Sequence, residues 1–225
     1  MEERKDESNE QPANRLKLTS LAEKMAESGI ARDAMDRFFK RIMSPAEMMD
    51  EVNKFMDLGL SMLERCDPKD ENDIVTPTLV VYTASAANLE DKPKASVYAM
   101  FVDHDEGFET IERIGLKHGS SDDDVERTVV GVVHLSEGWA SSTTSPEPPK
   151  IQPRDDPNRK EVVMVVGATM AGGLVASRLV YDRDPETRKP IVDRTKITTD
   201  TQFVQPPKAI RRFMHGYIKG LEKFK

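Results

Sequence analysis

The sequence predicts an α+β protein: a mixed, mainly antiparallel sheet of about five strands, with an N-terminal helical segment and a C-terminal helix. Three observations support this prediction. Helix signals dominate as far as Cys66, and runs rich in β-branched residues begin at Thr78. The last segment, from Ala209, again has helical periodicity. We expect the sheet to be covered by helices on one face.

The composition narrows the range of functions. The chain has 225 residues, a formal net charge of -7 and a single cysteine, Cys66. The acidic balance argues against broad binding of nucleic-acid phosphates, although a locally basic face stays open. One cysteine can form neither an intramolecular disulfide nor a zinc site of several thiolates, so we expect a reducing, cytoplasmic setting. We expect neither a secretory signal nor a membrane span, since no apolar run approaches the required length of about 20 residues.

Composition also divides the chain into three parts. Residues 1–15 are polar and charged, so we expect a disordered tail. Residues 16–66 are predicted to form a helical segment, in which two short helices precede a third. Residues 74–225 are predicted to form the α+β domain, with a proline-rich loop at 141–159.

The third predicted helix has the clearest local signals in the chain. Ser44, Pro45 and Glu47 supply an N-cap, a proline at the first helical position and the acid of a capping box. An apolar stripe follows at helical spacing, and methionine adapts well to irregular surfaces. Both core packing and an interaction surface agree with this stripe. The residues predicted for an interaction with a protein partner or a second copy are Met48, Met49, Val52, Phe55 and Met56.

The strands and the remaining helices follow in order. Residues 78–83 and 95–102 are predicted as neighbouring strands, and 107–118 as a helix. Residues 129–135 are apolar on both faces, which is typical of a central strand. Residues 161–168 and 174–182 are predicted as a hairpin around Gly172 and Gly173, and a final helix begins near Ala209.

Two groups of polar residues are candidate sites. Asp103, Asp105 and Glu106 follow a predicted strand, where their carboxylates could hold a hard cation, but a polar turn needs the same residue types. His134 and Glu137 lie at the end of the apolar strand, close to Trp139. A titratable pair beside an aromatic ring could form a site at the sheet edge, whereas a structural hydrogen bond is the simpler role for this histidine.

Motifs typical of nucleotide-binding and hydrolytic sites are missing from the sequence. It contains no GxxxxGK[ST], GxGxxG, HExxH or GxSxG motif and no EF-hand loop. We therefore expect no cofactor.

One segment resembles a group of uncharacterised phage and prophage proteins. In that group a strand ending in Ser-Glu-x-Trp precedes a Pro-x-Arg-x-Glu loop and a second strand, as residues 133–139 and 157–166 do here. The likeness covers about 35 of the 225 residues. It implies a phage or bacterial cytoplasmic origin without an assigned activity. It also singles out Glu137, Trp139, Arg159 and Glu161 as a structural latch or a site.

Together these observations predict a non-enzymatic protein-interaction factor, such as a phage accessory protein in the bacterial cytoplasm. Two alternatives stay open. The first is a small metal-dependent hydrolase or nuclease that uses Asp103, Asp105 and Glu106, with His134 and Glu137 nearby. The second is a virion or assembly protein.

Overall fold

A computed structural model describes residues 43–67, 75–85, 92–100, 104–120, 127–140, 159–170, 172–201 and 207–222. The predicted tail, the first two predicted helices up to residue 42 and loop residues 141–158 lie outside this part. Its three helices are α1 (Pro45–Arg65), α2 (His104–Ser120) and α3 (Lys208–Glu222). Its strands are β1 (Thr78–Ser85), β2 (Lys94–Ala99), β3 (Arg127–Ala140), β4 (Lys160–Thr169), β5 (Leu174–Arg183), β6 (Pro190–Ile191) and β7 (Thr198–Asp200).

The described strands form one sheet in the order β2-β1-β3-β4-β5-β6, and β7 also pairs with β5. Every pairing among them is antiparallel. The predicted α+β class, the largely antiparallel sheet and the helices at both ends are confirmed. The strand count is slightly higher than predicted because two short strands, β6 and β7, join the sheet beside β5.

The sheet carries helices on both faces, so the expectation of one covered face was wrong. Helix α1 packs on one face, where Val133, Leu135 and Val163 are fully buried. Helices α2 and α3 cover the other face, where Phe213 packs with Leu79 and other strand residues. The sheet therefore separates two hydrophobic cores, as expected for strands that are apolar on both faces.

Helix α1 begins as the sequence predicts. The Ser44 hydroxyl accepts a hydrogen bond from the Glu47 backbone N–H at 3.2 Å, and the Glu47 carboxylate accepts one from the Ser44 N–H at 2.8 Å. Met48 and Val52 on the apolar stripe are 0% exposed. Helix α1 thus shares a core with the sheet.

Strand β3 is central, as predicted, but it is twice as long as the apolar run that reveals it. It continues through Ala140, where it pairs with Lys160 of β4. Trp139 therefore lies within a strand, and the pairing of β3 with β4 extends to Ala140, the residue before the proline-rich loop. The β4–β5 hairpin is also present, with Gly172 at a φ of 87° in its turn.

Helix α2 begins three residues earlier than predicted. Its first turn contains Asp105 and Glu106, so these residues are helical and do not form the expected polar turn. Acidic residues suit a helix start because the N-terminal end of the helix dipole is positive. Strand β2 accordingly ends at Ala99.

Candidate functional site

The long end of strand β3 brings polar residues together on the α1 side of the sheet. Trp139 pairs with Glu161 of β4, which pairs with Tyr181 of β5. Glu137 lies two residues before Trp139, on the same face. Directly paired residues share a face of a sheet, and residues two apart on one strand also do. Four side chains from three strands therefore form one cluster.

Glu137 is the buried centre of this cluster. Its side chain is 11% exposed. One carboxylate oxygen accepts a hydrogen bond from the Tyr181 hydroxyl, and the other accepts one from the Val75 backbone N–H at 2.9 Å. The guanidinium of Arg183 lies 3.6 Å from the carboxylate. A buried carboxylate needs such partners to offset its lost hydration, so Glu137 ties β3 to β5 and to the segment before β1.

Arg183 links two carboxylates. It donates a hydrogen bond to Glu161 at 2.7 Å and lies beside Glu137. Burial is the largest single influence and would lower the pKa of Arg183, but the bond to Glu161 and the neighbouring negative charges together outweigh burial and raise it. Burial, followed by the bond to Glu137, raises the pKa of Tyr181 above its ordinary value. The phenol and the guanidinium therefore both stay protonated and act as hydrogen-bond donors.

Trp139 and Arg159 form the outer edge of the cluster. The guanidinium of Arg159 stacks 5.3 Å from the centre of the Trp139 ring, a cation–π distance. Trp139 is nevertheless 49% exposed. The cluster thus has two connected features: a buried network around Glu137 and Arg183, and an exposed aromatic–cation pair above it.

His134 does not belong to this cluster. It pairs with Leu79 and Val166, which lie in the core under α2 and α3. Because His134 and Glu137 are three residues apart on one strand, their side chains point to opposite faces of the sheet. The predicted His134–Glu137 pair is therefore wrong, and so is any shared metal site built on it.

The predicted acidic metal site gains no support from the described part of the chain. Asp103 and the side chain of Asp105 lie outside that part, and the Glu106 side chain is exposed at the start of α2. No group of three or more His, Cys, Asp or Glu side chains within the described residues is placed to hold a metal ion.

The predicted methionine surface on α1 is mostly core. Met48, Val52 and Met56 are at most 2% exposed and pack on the sheet. They are not available to a partner on this fold, because the same face of the helix covers the sheet. Met49 and Phe55 are half-buried at the edge of that core.

The sequence-based predictions did not include the close contact between α2 and α3, or the polar cluster that this contact creates. The two helices pack closely through Gly115 and Gly119 on α2 and through Gly216 and Gly220 on α3. A methyl group at any of these positions would overlap backbone atoms of the facing helix. Each pair of glycines is spaced four residues apart on one helix face, and this small-residue repeat was the available signal.

This close packing places Glu112 of α2 among the cations of α3. Glu112 accepts hydrogen bonds from Arg212 at 2.8 Å and Lys219 at 3.2 Å, and lies 2.9 Å from Nδ1 of His215. The bond from Arg212 is the largest cause that lowers the pKa of Glu112. Glu112 is therefore ionised at neutral pH and holds three basic side chains of α3.

The chain matches no known protein family, no curated protein sequence and no solved structure. In the described residues, every helix is too short or too polar to cross a bilayer.

Proposed function

We propose that this chain is a non-enzymatic binding protein that recognises another protein through its tryptophan patch, formed by Trp139, Arg159 and Glu161. The single observation that carries the proposal is the half-exposed Trp139 ring under the Arg159 guanidinium. Tryptophan and arginine are the residue types that most often dominate binding energy at protein interfaces.

The buried network below the patch supports a binding role. Trp139 lies on a strand that pairs with β4 as far as Ala140, and Glu161 is fixed by Arg183. A rigid surface loses little conformational entropy when it binds, so more of the contact energy appears as affinity. The Glu137 carboxylate already has three partners, an arrangement that favours a structural role over proton transfer.

The setting stays a prediction. The resemblance of the β3–β4 region to phage and prophage proteins supports an accessory role in a bacterial cytoplasm, and the acidic composition agrees with a soluble factor. The partner in this proposal is a protein of that cell or of the phage.

Co-purification with matched variants tests the proposal. Tagged wild-type protein should retain a stoichiometric partner, and Trp139→Ala with Arg159→Ala should lose it. Val180→Ala is the control, because Val180 is 41% exposed at the same end of the sheet but on the opposite face. Retention of the same partner by the double variant would refute the proposal.

Self-assembly is the second candidate, and the edge strand β2 favours it. Among the described strands β2 pairs only with β1, and Val97 on it is 61% exposed. An open edge with an apolar side chain can pair with a second copy. If so, light scattering should give a multiple of the chain mass that falls to one chain in Val97→Lys. A monomeric wild-type protein would exclude this candidate.

A further inference from the structure

Helix α3 carries a row of basic side chains that the proposed function does not use. We call it the basic stripe: Lys208, Arg211, Arg212, His215 and Lys219. Lys208, Arg212, His215 and Lys219 are three or four residues apart, and Arg211 is three residues after Lys208 and four before His215, so all five lie along one side of the helix. The side chains of Arg212, His215 and Lys219 are each about half exposed, and Lys208 and Arg211 are also exposed. The first four line a shallow surface groove.

The charge of the basic stripe is only partly balanced. Glu112 contacts three of the five residues, and neither Lys208 nor Arg211 pairs with a carboxylate in the part of the chain that the structure describes. Lys208 is instead placed 4.1 Å from the centre of the Phe108 ring. The stripe therefore keeps an excess of positive charge in a chain whose formal net charge is -7.

The position of these cations on α3 is unfavourable for the isolated helix. Lys208, Arg211 and Arg212 lie in its first two turns, and the first turn contains no acidic residue. The N-terminal end of a helix dipole is positive, so cations there are destabilising and a bound anion is favourable. A bound anion would relieve this repulsion.

We propose that the basic stripe binds the phosphate backbone of duplex nucleic acid without reading its base sequence. From Lys208 to Lys219 the stripe is about 16 Å long, a length that corresponds to about five phosphates of one B-DNA strand. Arginine forks match phosphate oxygens in geometry as well as in charge. Glu112 holds Arg212, His215 and Lys219 in place before the ligand arrives.

The composition of the stripe favours a duplex over the other anionic partners. Protein interfaces need apolar anchors at their centre and are poor in lysine, whereas every residue of the stripe is basic. Single-strand binding proteins add aromatic rings on which bases stack. The stripe itself contains none, and the neighbouring Phe108 ring is partly buried and lies under Lys208. The backbone of a duplex requires only a row of cations.

Fluorescence anisotropy of the full chain with a labelled duplex of about 16 base pairs tests this proposal. Lys208→Gln with Arg211→Gln removes two cations that do not contact Glu112, so the helix pair should stay folded. Arg188→Gln with Lys189→Gln is the matched control, since both residues are exposed in the turn after β5. Thermal unfolding should show that both variants are folded.

The proposal predicts a steep salt dependence. Three net phosphate contacts should weaken wild-type binding about 40-fold between about 50 mM and 200 mM salt. The stripe variant should bind at least about tenfold more weakly at the lower salt and lose about two-thirds of the salt slope. The control should match the wild type.

Three kinds of result would overturn the proposal. The first is no wild-type binding to the duplex at low salt, or the same affinity in the stripe variant. The second is tighter binding of an oligothymidylate single strand of equal length. The third is equal competition by a polyglutamate peptide, which would assign the stripe to an acidic protein segment.

Discussion

Glu137 lies at the centre of the buried network below the tryptophan patch. It is a buried carboxylate with hydrogen bonds from Tyr181 and Val75 and a nearby guanidinium from Arg183. A carboxylate loses strong hydration on burial, and hydrogen-bond donors compensate for this loss. Removing any one donor leaves part of the desolvation free energy uncompensated and destabilises the fold. Stability at this residue therefore depends on the donors around it.

The phenol of Tyr181 provides a direct test of this dependence. Tyr181→Phe removes the donor without changing the ring, and we expect it to lower the free energy of unfolding by about 1.5–3 kcal/mol. Tyr82→Phe is the matched variant, because Tyr82 donates to Glu51 at 2.6 Å. Glu51 is more exposed and also bonds Lys54. We therefore expect Tyr82→Phe to lower the free energy of unfolding by about 0.5–1.5 kcal/mol. Denaturant unfolding at neutral pH measures both values, and an equal or smaller loss for Tyr181→Phe would show that Glu137 does not need this bond.

The same two tyrosines predict the behaviour at high pH. Burial and a neighbouring carboxylate raise the pKa of both phenols above the ordinary value of 10.0. Above that pH the unfolded chain loses phenolic protons that the folded chain keeps, so stability falls as pH rises. Each tyrosine should add about 1.4 kcal/mol per pH unit to this fall. Each Phe variant should have a shallower slope above about pH 10. An unchanged slope in both variants would contradict the assigned shifts.

Among the elements, the α2–α3 pair is held together by glycines. The helices run parallel along this contact, since Glu112 lies near Gly216 and Gly119 lies near Gly220. Backbone touches backbone, and only glycine permits this approach. The contact is therefore specific to these positions.

Alanine at the contact positions should be costly. Gly115→Ala and Gly216→Ala would each place a methyl group against a backbone carbonyl oxygen of the other helix. We expect a loss of about 1–3 kcal/mol or more, because the helices must separate to admit it. Gly138→Ala is the control, since nothing lies within 4 Å of the added carbon. Thermal unfolding compares the three variants, and a contact variant as stable as the control would show that the helices are not in backbone contact.

The elements also show what the sequence can reveal. The capping box at Ser44 and the turn at Gly172 are local, because the interacting groups lie within a few residues, and both are as predicted. The apolar run of β3 identifies a central strand, but the strand continues to Ala140 because β4 pairs with polar residues as well. The partners of Glu137 come from β5 and from Val75, and local patterns do not contain such distant contacts.

In the molecule as a whole, the sheet separates the two proposed surfaces. The tryptophan patch lies on the α1 side, and the basic stripe lies on the helix layer of the opposite side. The two surfaces share no residue, so their functions should be independent. Trp139→Ala should leave duplex affinity unchanged, and the stripe variant should leave the protein partner bound. Loss of both activities in either variant would mean a shared surface.

The most direct test of the central claim is site-specific photocross-linking. A benzophenone amino acid in place of Arg159, whose side chain lies against the Trp139 ring, should yield one adduct with another protein in cells that make this chain. The same amino acid at Leu58, 41% exposed on α1, should not. An adduct at position 159 that disappears in the Trp139→Ala background is the predicted result. Equal labelling from both positions, or none at position 159, would contradict the claim that the tryptophan patch binds a protein.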